Sequence, residues 1–286
     1  MTSSKRIAAI DTLIGFRAAA EVDRNPANVR PSQRGERHPA DYMYRDIPAV
    51  AAGDEDEAAV IADTLTAMDA NGVGTGLVTL GHPAAIPAAS KHPSRFVLAT
   101  QVDPGDVMSA VRRIRDDRAR HGIRAVGAFP AGGSPPHRLD HAAWYPVFAT
   151  CVELGLPIFV TVGVPGPRVP LDSQHVEAID RVMYDFPELV MVMRHGAEPW
   201  TDLAVKLMLK WPGLYYSTSA FAPKHYPTAI IDYANTRGTG KVLYGGYHPY
   251  ALELDRIFAE MGDVPFRDHV WEPFLRGNAA RILGLA

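Results

Sequence analysis

The sequence has a single cysteine in 286 residues, Cys151, so no disulfide closes within the chain. It sits in an amphipathic run (Trp144, Val147, Phe148, Cys151, Val152) that reads as the core face of a helix in a reducing compartment. No apolar stretch approaches the roughly 18 residues that a membrane span needs. Met-Thr-Ser-Ser-Lys-Arg leads directly into a strand and not into a signal-peptide core, so a cytoplasmic protein is expected. Neither sign of charge dominates. A net charge of −3 offers no general attraction to nucleic acid or to an anionic membrane, which leaves small molecules or other proteins as partners. No Gly-x-Gly-x-x-Gly turn follows the first strand, and no Gly-x-Ser-x-Gly elbow occurs anywhere. Solenoid repeats, low-complexity tracts and linkers are also missing, so residues 1–286 are expected to form one domain.

What is present is a rhythm. With 47% hydrophobic residues the chain can build a large core, and its apolar positions switch between short continuous runs and helical spacing. The expected strands are RIAAID (6–11), GLVTL (76–80), RFVLATQVD (95–103), IRAVGAFP (123–130), PIFVTVG (157–163), LVMVMRHG (189–196), LYYSTSA (214–220) and KVLYGGY (241–247). Helical patterns separate them, except between the second and third, where a proline-interrupted segment makes a poor helix. Continuous apolar strands fit a parallel sheet covered on both faces. Eight strand-then-helix units in this length are the arithmetic of a (β/α)8 TIM barrel, with a long loop after strand 1 and a C-terminal helical extension expected to pack on the barrel's outside.

In such a barrel the chemistry belongs at the C-terminal strand ends. These ends offer Asp11-Thr12-Leu13, Gly81-His82, Gln101-Val102-Asp103, Phe129-Pro130, Thr161-Val162-Gly163, Arg194-His195-Gly196, Ser217-Thr218-Ser219 and Gly246-Tyr247-His248. Taken in order, AAID at strand one, LGLPIFVTVG at strand five, DFPELVMVMRHGAEPW around strand six, KVLYGGYHP at strand eight and RGNAARILGL at the C-terminus resemble the amidohydrolase-related family that includes aminocarboxymuconate-semialdehyde and resorcylate-type decarboxylases. The resemblance spans almost the whole chain. It implies a metal site built from His-x-His after strand one, a histidine at strand five and an aspartate at strand eight, with a strand-six histidine that usually works as an acid/base group beside the metal. Here those positions carry Leu13 and Gly15, Thr161, Tyr247 and His195. One imidazole does not hold a catalytic zinc, which takes about three protein ligands, so no cofactor is expected. A relocated zinc on His82, His195 and His248, with Asp11 or Glu198, is the alternative considered.

Without a metal, His195 is the first catalytic candidate, because an unperturbed imidazole is a ready proton carrier and the resemblance places an acid/base histidine there. The competing reading is a structural histidine in the barrel mouth. Tyr247 is the second: its phenol can donate to a substrate oxygen or enolate, or simply pack against the next loop. Arg194 alternates with His195 and should face the other side unless the strand is already turning. It, Thr161, Ser217, Lys224 and His248 are the candidate substrate contacts. So is Arg17, within a long loop, 12–52, that also holds Arg24, Arg30, Arg34, Arg37, Tyr42, Tyr44 and Arg45. Loops of that length are lids or binding segments, and arginines grip carboxylates and phosphates in pairs of hydrogen bonds. Glu198 either complements a helix N-terminus or orients His195.

Two classes of function follow. One is an enzyme working by acid/base chemistry, hydrolysis or decarboxylation and other C–C cleavage, on a small carboxylate-bearing substrate. The other is a catalytically inactive relative serving as a binding or accessory protein. A homo-oligomer is expected in either case.

Overall fold

The computed structural model describes residues 7–17, 26–34, 56–250 and 252–285. Arg24, Arg37, Tyr42, Tyr44 and Arg45 of the long loop lie outside them. Eight parallel strands pair in sequence order: β1 (Ala9–Asp11), β2 (Val73–Thr79), β3 (Phe96–Val102), β4 (Ala125–Ala128), β5 (Ile158–Thr161), β6 (Met191–Arg194), β7 (Leu214–Ser217) and β8 (Val242–Leu243). The Thr12 N–H reaches the Tyr244 carbonyl at 3.3 Å and the Thr12 hydroxyl donates to it at 2.7 Å, which joins the last strand end to the first. This is the (β/α)8 barrel.

Helices α1 (Glu57–Ala70), α2 (Ala85–Lys91), α3 (Val107–His121), α4 (Tyr145–Leu154), α5 (Ala178–Asp185), α6 (Thr201–Lys210), α7 (Thr228–Ala234) and α8 (Leu254–Met261) follow the strands in turn. The sequence punctuates them. Asp56 caps α1 by accepting from Ala58 N–H, and Asp106 caps α3 by accepting from Ser109 N–H. Gly122 ends α3 at φ +63°, a left-handed position that costs glycine nothing. The poor helix between β2 and β3 forms after all. Pro87 falls in the first turn of α2, where the missing N–H would have had no partner within the helix.

Two apolar layers result. The larger packs the helices against the outward residues of the strands, and buried Cys151, its thiol pushed up to about 12 by burial, belongs there as packing. The smaller fills the barrel itself with Ile10, Leu77, Ala99, Ala125, Phe159, Val192 and Leu243, with Val97 and Tyr215 packed against them, so every strand contributes at least one side chain.

The C-terminal segment lies only partly on the outside: Val270, Trp271, Phe274 and Leu275 join the outer layer, and its last helix plugs the barrel. Ala279, Ala280 and Leu283 of α10 (Asn278–Leu283), which follows the short α9 (Asp268–Glu272), join the interior cluster. Buried Asn278 donates to the carbonyls of Thr239 and Val242, both at 2.8 Å, and so ties the plug to the entry of β8. Asn278→Ala leaves two carbonyls without donors. It is expected to cost about 1–3 kcal/mol in urea unfolding.

β8 is shorter than its apolar run suggests. Tyr244 N–H turns away to the carbonyl of Phe274 at 2.9 Å, and the two glycines follow.

Candidate active site

Strand alternation decides which residues line the barrel interior above the apolar plug. Two residues beyond each plug residue come Thr12, Thr79, Gln101, Gly127, Thr161, Arg194, Ser217 and Gly245. The inner wall therefore changes from aliphatic to polar in one step toward the mouth. Two of these positions are glycine because neighbours fill their space. A Cβ at Gly127 would collide with Gln101 Oε1 and stand 3.3 Å from Arg194 Nη2, and one at Gly245 would stand 2.5 Å from Ser217 Oγ.

Arg194 is the dominant charge of this wall. It is 8% exposed, and its Nη2 donates to Gln101 Oε1 at 3.3 Å, while its Nε has no partner. Among the described residues no carboxylate pairs with it. Burial lowers its pKa to about 10, against the favourable field of Tyr247 and Tyr250, so it remains a cation at neutral pH.

His195 follows at φ +67°, and this left-handed residue turns the chain out of β6 at the mouth. Its ring meets Tyr247 edge-on, with centroids 5.1 Å apart, and Tyr247 meets Tyr250 at 5.5 Å. Ser219 Oγ lies 3.5 Å from His195 Nδ1. The residue is half-buried. Burial, then the positive charge of Arg194, depresses its pKa to about 3, and a Ser219 backbone hydrogen bond only partly opposes them. Burial thus favours the neutral ring, where the sequence alone suggested an unperturbed imidazole. Tyr247 adopts φ +107°, so the two leading candidates from the sequence both occupy backbone that non-glycine residues rarely accept.

The structure thus gathers Arg194, His195 and Tyr247, with buried Thr161 on the same inner wall. Ser217 lies on that wall too, and the remaining candidates stand apart. Ser217 is buried in the seam, its hydroxyl 3.2 Å from that of Thr12. Lys224 is about half exposed and faces Glu260 at 3.7 Å, on the outer side of the β7 loop. His248 is buried with Nδ1 2.9 Å from Glu253 Oε2, and Arg17 Nη2 binds the other oxygen of Glu253 at 2.8 Å. Burial favours the neutral His248 ring, and Glu253 favours the cation. Glu253 therefore occupies both Arg17 and His248, holding the first loop against the last. In that loop Arg34 donates to the carbonyls of Val29, Pro26 and Ala27. Glu198 is exposed and forms no hydrogen bond to His195.

The sequence reading gave Gln101 as a strand-three end without a role and passed over Tyr250. Gln101 was detectable, since it stands two residues beyond an inward alanine on an apolar strand. Nothing in the sequence marked Tyr250, whose phenol occupies the space that a side chain at Gly15 would need.

The model of the amidohydrolase family matches residues 21–285. The chain belongs to that family. No curated protein matches the sequence. Among solved structures, an uncharacterised TIM-barrel protein from Bordetella bronchiseptica is similar over 96% of this chain and 98% of its own, with 22% identity and a TM-score of 0.77. The 2,6-dihydroxybenzoate decarboxylase from Rhizobium matches over 98% and 99%, with 14% identity and a TM-score of 0.67. The 5-carboxyvanillate decarboxylase of Novosphingobium aromaticivorans, complexed with manganese and 4-hydroxy-3-methoxy-5-nitrobenzoic acid, matches over 99% and 98%, with 17% identity and a TM-score of 0.65. At these identities the likeness establishes the fold.

The manganese corrects one expectation. A site needing no cofactor does not follow from the missing His-x-His pair, because a metal accompanies this fold in solved relatives. Among the described residues no group of three or more His, Cys, Asp or Glu side chains comes together to hold an ion. His82, His195 and His248 do not converge: His82 Nε2 lies 3.2 Å from the Arg17 carbonyl, His195 meets Tyr247, and His248 meets Glu253. The described residues do not fit that donor set, and no step below is routed through a metal.

Proposed function

We propose that this amidohydrolase-family chain is an enzyme acting by acid/base chemistry on a small organic substrate bearing a carboxylate, with decarboxylation or related C–C cleavage favoured over hydrolysis. One observation carries the reading: a buried guanidinium on the polar inner wall has no anionic partner among the described residues. A buried cation without a counter-ion is costly, and an anionic ligand that supplies one recovers that cost on binding. Membership of a family whose solved relatives act on carboxylated aromatics supports the same substrate class.

Each residue then has a task. Arg194 holds the substrate carboxylate by charge-assisted hydrogen bonds, with the Gln101 amide fixing the guanidinium plane. The rings of His195, Tyr247 and Tyr250 form an aromatic wall for a flat, partly apolar body. Tyr247 donates its phenolic proton toward an oxygen that gains charge in the transition state. Burial pushes Tyr250 up to about 12, so its phenol also stays protonated and available as a donor. Neutral His195 accepts a proton from the substrate or from water and returns it later in the cycle.

The test uses benzoate as a binding probe and 2,6-dihydroxybenzoate and 5-carboxyvanillate as substrates, with manganese supplied to the protein. Benzoate is expected to bind, and carbon dioxide release is expected from at least one of the two acids. Absence of benzoate binding combined with cleavage of an uncharged ester would overturn the proposal.

A further inference from the structure

Asp11 is completely buried, points away from the barrel interior and pairs with no cation among the described residues. None of the steps above uses it. Its Oδ1 accepts two backbone N–H groups, from Leu13 at 2.9 Å and from Gly246 at 2.7 Å. Those two peptides bracket Tyr247. Gly246 immediately precedes it, and the Leu13 carbonyl accepts the Tyr247 N–H at 3.0 Å. Gly15 N–H bonds to the His248 carbonyl at 2.8 Å on the far side. Tyr247 is therefore held between anchored peptides, at φ +107°, and one carboxylate oxygen anchors both.

We infer that Asp11 is the positioning residue for Tyr247, clasping the ends of β1 and β8 so that the phenol is delivered beside His195 in a backbone conformation it would not keep alone. Strained backbone persists only where its surroundings over-determine it. Here the surroundings are identifiable. The clasp also accounts for Gly246, since any side chain there would collide with Asp11 Oδ2 and stand 3.0 Å from the Tyr244 hydroxyl. Oδ2 takes neither of these backbone bonds and lies toward the Tyr244 phenol, so Oδ1 is the shared acceptor. The clasp holds whether Asp11 is ionised or neutral. Asparagine, which presents an equivalent carbonyl oxygen, should replace it.

The inference rests on the reading of Tyr247 as a donor, but its test needs no substrate. Amide hydrogen exchange of segment 244–250 is followed by mass spectrometry in the parent, Asp11→Asn and Asp11→Ala. Asp11→Ala is expected to exchange there at least tenfold faster, with other strand segments unchanged, while Asp11→Asn stays within about threefold of the parent. Uniform acceleration across the barrel would mark a merely structural role and overturn the inference, as would unchanged exchange in Asp11→Ala. Should Asp11→Ala not fold, Asp11→Asn decides alone: parent-like exchange at 244–250 supports the clasp, and acceleration confined there overturns it. Benzoate binding is measured in parallel. Its absence from the parent would count against Arg194 as a carboxylate site and leave the exchange result standing.

Discussion

Arg194→Met is expected to weaken benzoate binding by about one to two orders of magnitude while raising the melting temperature. The two effects share one cause. The guanidinium is 8% exposed and its strongest contact is a neutral amide oxygen at 3.3 Å, so the folded protein bears a desolvation cost that only an anionic ligand offsets. Hydrogen bonds to a charged group contribute about 1.5–3 kcal/mol, so their loss weakens binding by roughly 10- to 150-fold. Replacing a buried charge by an apolar side chain of similar length is often stabilising by about 1–4 kcal/mol, which appears as a rise of several degrees in a thermal melt. Calorimetry of benzoate binding and a melting curve on the same samples measure both. Undiminished affinity in the variant, or a variant less stable than its parent, would contradict the role given to this arginine.

His195→Asn should leave the barrel folded and lower turnover by about 10²- to 10⁴-fold, the usual contribution of a general base. Asparagine is the informative replacement because it tolerates φ +67° better than other non-glycine residues. The pH dependence follows from the depressed pKa. Between an unfolded value near 6.5 and the folded value of about 3, the unfolded chain binds the proton that the native state refuses. This contribution to stability is present above about pH 6.5 and is lost as pH falls toward 3. Asp11, raised by burial to about 7, acts in the opposite sense, because its native state holds a proton that the unfolded carboxylate releases. Comparing urea midpoints of parent and variant across this range isolates His195, since Asp11 is common to both. The parent should lose stability on acidification more steeply than His195→Asn. A rate profile of the parent that inflects near 6.5 and loses that inflection in the variant would contradict a base kept neutral to low pH.

How much of this was legible beforehand depended on how local the signal was. The order of strands was readable because parallel strands buried on both faces need unbroken apolar runs, and RFVLATQVD and LVMVMRHG are such runs. α2 was misread because a proline counts against a helix interior and not against its first turn, and its place in the turn emerges only from where the helix begins. Only the end of the C-terminal extension was misplaced, because ILGL is apolar whether it covers the outside of a barrel or plugs its base. Arg194 and His195 were expected on opposite sides of the strand, and it is the left-handed turn at His195 that allows both to serve one mouth. Lys224 and His248 were good candidates by type and position, yet the first faces Glu260 and the second faces Glu253.

The sequence by itself determined the barrel, the eight strand ends and the family, because hydrophobic periodicity and turn residues act over a few positions and are written in neighbouring letters. Tertiary structure alone decided which polar groups are paired and which are left on the inner wall. Ion pairing and desolvation depend on atoms hundreds of residues apart, as with Arg17 and Glu253 or Asp11 and Gly246. The same packing lowers the pKa of His195 and leaves Arg194 without a counter-ion among the described residues, for reasons no local pattern records.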